Sequence, residues 1–238
     1  LDLSGFYVHT DRTQDEDSWG YVGDELTNDN LEYINDNNVD ITQDSYSLNG
    51  AYKFDMLGGR TALKLGYSSF EDDSFEYEDE TAYLEDEEDE NGDEIDPIPF
   101  PDGDVFEGAA TLMNIKDTEF SAKIEHRREL FDGLDLEFGV QYEQKKRDTL
   151  LTESETIEID LPQGTPYADP SETRPYTDFE AVVGGDNTIE QTRIDPYIML
   201  SGKSGAFSWE AGLRLENTEV SVDERSAGLS TDSDYSVV

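Results

Sequence analysis

The 238-residue chain contains no cysteine, which excludes a disulfide framework and any thiolate metal site. Basic residues are scarce: 16 Lys and Arg stand against 59 Asp and Glu, a formal net charge of -43. That balance excludes nucleic-acid binding, because neutralising phosphates takes clustered Lys and Arg. No run of about 18 apolar residues occurs, so no segment qualifies as a transmembrane helix. The two histidines, His9 and His126, lack the spacing that marks a metal site. There is no G-x-S-x-G nucleophile elbow. Gly202-Lys203-Ser204 lacks the leading glycine of a phosphate loop, having Tyr197 in its place, and reads as a hairpin turn. No catalytic constellation and no cofactor are implied.

What is present is a framework with acidic excursions. Hydrophobic residues make up 34% and mean hydropathy is -0.73, values that approach a disordered composition. Yet 13 Tyr, 11 Phe and 2 Trp are too many aromatics for a solvating polymer. The charge is also segregated: between Lys64 and Lys116 there is no Lys, Arg or His, and 16 of the 26 residues from Glu71 to Asp96 are Asp or Glu.

Period-two alternation predicts about seven strands, near residues 1–13, 44–56, 60–72, 116–129, 134–148, 189–201 and 206–222. The pair 116–129 and 134–148 alternates most cleanly, with Phe120, Ala122 and Ile124 followed by Leu136, Phe138 and Val140 on one parity. The first strand is ambiguous, since Leu1, Leu3 and Tyr7 compete with Phe6 and Val8 for the apolar face. Pro196 removes one ladder donor from the sixth strand, so an edge, bulge or strand end is expected there. Short turns near 57–60, 130–133 and 201–205 join strands two to three, four to five and six to seven. Much longer acidic connections are expected at 14–43, 73–115 and 149–188. Short turns at one rim and long loops at the other characterise a transmembrane β-barrel, whereas a compact soluble domain rarely carries loops of that length. Aromatics also bracket the apolar faces, as interfacial girdles do. The expected fold is therefore all-β: an antiparallel meander forming part of a transmembrane β-barrel, with long acidic loops at one rim. Leu63, Leu65, Ile124, Leu136, Phe138, Val140, Leu213 and Leu215 are expected to face lipid.

The stretches DSYSLNGAYKFD (44–55), RTALKLGY (60–67) and DPYIMLSGKSGAFSWEAGLRLENTEV (195–220) resemble barrel strands of TonB-dependent outer-membrane receptors. The run Trp209, Glu210, Gly212, Arg214, Glu216, Thr218 carries most of that resemblance. It covers the strands and not the loops. The resemblance implies an internal fragment, residues 1–238, of a receptor barrel in the outer membrane of a Gram-negative bacterium. Its implied partners are outer-membrane lipid, the TonB system and a scarce-nutrient cargo such as an iron chelate, cobalamin or an oligosaccharide. No enzyme activity is expected. A competing reading, favoured by net charge alone, is a secreted or halophilic acidic β-domain with an adhesive or cation-binding structural role.

Two features of the expected loops bear on function. The run EDEEDENGDEID (85–96) suggests calcium, but aligning Gly92 as the sixth loop residue puts Ile98 where the bidentate glutamate belongs. A solvated acidic loop is the simpler expectation. Tyr77, Tyr83, Phe100, Phe106, Tyr167, Tyr176 and Phe179 lie among acids and prolines, where aromatic faces recognise sugars or cations or simply pack the loops.

Overall fold

The computed structural model describes residues 1–22, 26–27, 30–85, 98–99, 103–164 and 176–238. It contains strands β1 (Asp2–Tyr21), β2 (Leu31–Met56), β3 (Gly59–Ala82), β4 (Leu84–Glu85), β5 (Ile98–Pro99) and β6 (Asp104–Phe131). After these come β7 (Leu134–Glu153), β8 (Ile157–Leu161), β9 (Glu180–Ser204), β10 (Phe207–Arg214), β11 (Glu216–Glu224) and β12 (Leu229–Val237). Ten of them form one antiparallel sheet in the order β1-β2-β3-β6-β7-β9-β11-β12, with β8 on β6 and β10 on β9. Strands β4 and β5 make a separate two-stranded ladder. The all-β antiparallel meander is as expected, and the sheet is open.

Two interruptions disguise longer strands. β10 and β11 pair with β9 in one unbroken register, Leu213 opposite Ile198 and Asn217 opposite Ile194. The gap falls opposite Pro196, whose missing N–H removes one ladder bond while its carbonyl still accepts from Leu215 N at 3.0 Å. β8 continues the path of β7 beside β6 with a one-residue change of register. The sheet is thus eight long strands. Seven match the expected ones, and β12 is the addition.

The expected hairpins form. β2 and β3 turn at Leu57-Gly58, both with positive φ (52° and 73°), the turn geometry that follows the natural strand twist. β6–β7 and β9–β10 turn through Gly133 and Gly205, also at positive φ. These three turns share one rim. The strand ends that flank 22–30, 83–103 and 154–179 lie at the other, together with one short turn, 225–228.

The expected long loops are the main correction. Most of 14–43 and 73–115, and nearly half of 149–188, is strand: β1 runs to Tyr21, β2 begins at Leu31, and β3 continues to Ala82. β3 pairs through Ala82 with Val105 of β6. The acidic residues of β2 and β3 therefore extend the sheet rather than looping away from it. The physical reason is donor supply from neighbouring strands. Asn35 Nδ2 donates to Glu78 Oε1 (2.8 Å), Gln43 Nε2 to Asp72 Oδ2 (2.8 Å), Asn114 Nδ2 to Asp73 Oδ1 (2.5 Å) and Thr13 Oγ1 to Asp40 Oδ1 (2.6 Å). Neutral donors satisfy carboxylate lone pairs and let the ladder continue, although they leave the charge in place.

Candidate functional site

The sheet has two chemically distinct faces. Cross-strand partners share a face, and the register places Tyr52, Leu63, Ile124, Val140 and Pro196 in one row. The next row towards the short turns holds Phe54, Thr61, His126, Phe138, Ile198 and Leu213. All eight residues expected to face lipid lie on this face. Leu63, Leu65, Ile124, Phe138, Leu213 and Leu215 are exposed, while Leu136 and Val140 are half-buried. The ambiguity in the first strand resolves: Leu3 and Tyr7 pair with Gly50 and Tyr46 and join the apolar face, leaving Phe6 and Val8 on the other. Tyr46 and Tyr67 (ring centroids 5.9 Å apart) mark its far-rim border near β2 and β3. Tyr52 and Phe54 (5.5 Å) mark the short-turn border, with Trp209 folded over Gly202.

The opposite face is polar and electrostatically matched. Glu125 lies 2.8 Å from both Lys64 and Lys123, and Arg147 makes a two-pronged contact with Asp117 at 2.7 and 2.6 Å. A chain of charges crosses three strands: Arg193 is 3.4 Å from Glu143 and 3.0 Å from Asp195, and Arg214 is 2.5 Å from Asp195 and 3.1 Å from Glu216. Lys123 also sits 5.0 Å above the Tyr197 ring, while the Tyr197 hydroxyl donates to Glu137 at 3.0 Å. Two recesses of about 410 and 380 Å³ open here. One is lined by Phe6, Phe70, Lys145 and Arg147, the other by Asn49, Gly66, Ser121 and Lys123.

Beyond the tyrosine border both faces are polar. His9 bridges Asp44 (2.9 Å) and Asp11 (3.0 Å), and hydrogen bonding first to Asp44 and then to Asp11 raises its pKa. Burial raises the Glu80 carboxyl, with Glu107, Glu78 and Glu32 pushing the same way against the amide of Asn35.

The aromatics expected at the cargo surface divide. Phe106 is fully buried. Tyr77 and Tyr176 stack at 6.3 Å, and the Tyr176 hydroxyl donates to buried Asp79. Gly108, opposite Asp79, makes room for that contact: a Cβ there would meet Tyr176 Oη at 2.5 Å and Asp79 Oδ1 at 2.6 Å. Phe106, Tyr77 and Tyr176 therefore pack the outer sheet against the 154–179 connection. Tyr83 and Phe179 are half-buried elsewhere at that rim. Phe100, Tyr167 and the acidic run from Asp86 onward lie outside the described residues. Among the described residues no cluster of three or more His, Asp or Glu could hold a metal ion.

Sequence reasoning missed the Asp195–Arg214 contact and the amide-to-carboxylate matching. The second had a signal: Asn35 and Asn37 recur at period two, as do Glu76, Glu78 and Glu80 on the neighbouring strand, which the two asparagines reach diagonally.

No family model and no curated protein matches the chain. Among solved structures it is similar to the FrpB iron transporter from Neisseria meningitidis (F3-3 variant), at 10% identity and a TM-score of 0.31. That match covers 98% of this chain and 42% of the transporter, so the chain spans less than half the length of that structure. A likeness at that score carries no argument about function.

Proposed function

We propose that the chain forms part of the wall of an outer-membrane β-barrel transport receptor in a Gram-negative bacterium, its apolar face against lipid and its polar face towards the lumen. The observation that carries this reading is the continuous exposed apolar band, rows deep across β2, β3, β6, β7, β9 and β10, backed by a charge-matched polar face. From the short turn to Tyr46, β2 contributes residues 46–56. At about 3.3 Å per residue and about 40° tilt, that spans roughly 28 Å, against an apolar band of about 25 Å in such barrels. The acidic β-domain reading needs a second layer to cover the apolar face, and the described residues supply none.

The receptor binds and imports a scarce nutrient, an iron chelate, cobalamin or an oligosaccharide, with energy delivered by the TonB system. It is not an enzyme. Cargo meets it at the far rim, where Tyr77, Tyr83 and Phe179 keep part of their surface exposed.

Site-directed spin labels test the orientation. In lipid, labels at Leu63 and Leu65 should be relaxed by dissolved oxygen, and labels at Lys64 and Gln141 by a water-soluble nickel chelate. Equal aqueous access on both parities would overturn the membrane reading. Loss of TonB-dependent uptake in a Tyr83→Ala receptor that still assembles would support the cargo surface, and unchanged uptake would remove Tyr83 from it.

A further inference from the structure

The seam between β9 and the β10–β11 strand has a defect at one height and a compensation at the same height. In an antiparallel pair that exchanges both bonds, each residue donates and accepts. Leu215 N donates to the Pro196 carbonyl at 3.0 Å, but Pro196 has no N–H to return to the Leu215 carbonyl. This row lies in the apolar band, beside Val140 and Ile124, where water does not reach a vacant carbonyl. On the polar face one residue away, Asp195 is fully buried. Arg214 crosses the seam diagonally to reach it at 2.5 Å while also holding Glu216 at 3.1 Å. Arg193 braces Asp195 from its own strand at 3.0 Å and ties it back to Glu143 of β7.

We propose that Asp195, Arg193 and Arg214 form a side-chain clamp that takes over from the missing ladder bond at Pro196 and holds this seam closed. The clamp closes the seam because a charge-assisted contact between strands resists the separation that the absent N–H no longer resists. Release of Asp195 takes from Arg214 its acceptor across the seam and from Arg193 its neighbouring opposite charge, leaving only the Leu215–Pro196 bond and its flanking backbone bonds across the gap. The positions of the partners define the clamp whichever cargo the receptor carries, while the dryness of the vacant carbonyl rests on the proposed lipid-facing orientation.

Amide hydrogen exchange on the full receptor reconstituted in lipid tests this. Asp195→Asn keeps the shape of the side chain and removes its charge. Exchange at Leu213, Leu215 and Asn217, the alternate residues whose N–H groups face β9, should rise about tenfold, the scale of one lost net hydrogen bond, with the β6–β7 ladder unchanged. Pro196→Val restores a backbone donor, and the double variant Asp195→Asn with Pro196→Val should return exchange to the parental rate. Unchanged exchange in Asp195→Asn, or a double variant as open as the single, would overturn the clamp. If Asp195→Asn does not assemble, Arg214→Lys keeps the charge and loses the planar fork. It should raise exchange at the same three amides, and an unaltered pattern there would equally refute the proposal. Spin-label accessibility at Leu63 and Lys64, which tests membrane orientation, is read separately from these amides.

Discussion

Leu57 shows how a single position can work against its own fold. It occupies the left-handed region at φ 52°, a conformation costing a side-chain-bearing residue about 1–2 kcal/mol, and its side chain is 72% exposed, so little burial offsets that. Asparagine tolerates this region better. Leu57→Asn should raise the stability of the β2–β3 hairpin by up to about 1 kcal/mol, read as a higher denaturant midpoint in lipid or detergent. A lower midpoint would mean that Leu57 packs against lipid. His9 gives a pH test outside the apolar band. Its raised pKa means that the contact with Asp44 and Asp11 contributes below the ordinary histidine range and is lost as pH climbs through the raised value. Asp44 is depressed by hydrogen bonds from Tyr7 and then His9, so its share is present above the ordinary aspartate range and is lost as pH falls through the depressed value. Both contributions are therefore fully present between the ordinary aspartate and ordinary histidine ranges and fade outside that window as the shifted values are passed. Asp44→Asn should lower the His9 titration midpoint measured by NMR, and an unmoved midpoint would show that the bridge is absent in solution.

At the scale of elements, the chain just before β9 is pinned at Tyr176, by one aromatic over one glycine. Gly108→Ala would place a methyl within 2.6 Å of both Tyr176 and Asp79, so the tyrosine must leave. We expect faster protease cleavage within 176–179 and faster amide exchange in Ile157–Leu161, with β6–β7 below Thr111 unaffected; unaltered cleavage would place the anchor elsewhere. This part of the molecule was the hardest to read from sequence. Residues 116–129 and 134–148 alternate apolar with charged, so their pairing, face and turn were legible, and the same held for 44–56 with 60–72. Above Tyr46 both parities are polar. Asn35, Asn37, Glu76 and Glu78 give no hydrophobic contrast, and strands built on cross-strand amide-to-carboxylate bonds read as solvated loops. β12 was missed for the same reason, since LSTDSDYSV carries few apolar residues. The Asp195 clamp was invisible because it depends on the diagonal offset across the seam rather than on spacing along the chain.

For the whole molecule, the opposing faces and the excess charge lead to separate expectations. Phe138→Arg should cost about 2–4 kcal/mol in lipid if it lies at the bilayer midplane, whereas Gln141→Arg on the polar parity should be nearly neutral. Equal costs at the two sites would contradict the two-faced wall. A net charge of -43, met along β2 and β3 largely by neutral donors and by few cations such as Lys116 on Glu71, leaves repulsion that dissolved ions screen. Raising salt from about 0.01 M to 0.15 M shortens the Debye length from about 30 Å to about 8 Å. Thermal stability should therefore rise with salt. Glu80 adds a pH component of the opposite sense to an ordinary ion pair: its raised pKa means that folding favours the protonated form, so its contribution falls as pH rises through the raised value. Removal of Glu80 as Glu80→Gln should weaken the salt response, and a response of unchanged size would place the repulsion elsewhere.

Each long strand pairs with its neighbours in sequence, and the tightest turns lie at a single rim. Such a sheet can close like a row of zippers, each started at a two-residue slider and run outward. Register is then decided near the turns, where a slip by one residue would exchange the oily and wet sides and is strongly penalised. The acid-rich ends close last on a track already laid, so they can vary in sequence without misaligning the rest. Assembly order should show this: in pulse-labelled refolding into lipid, amides beside Gly58, Gly133 and Gly205 gain protection before those of Asn35 or Glu78, and the reverse order would refute it.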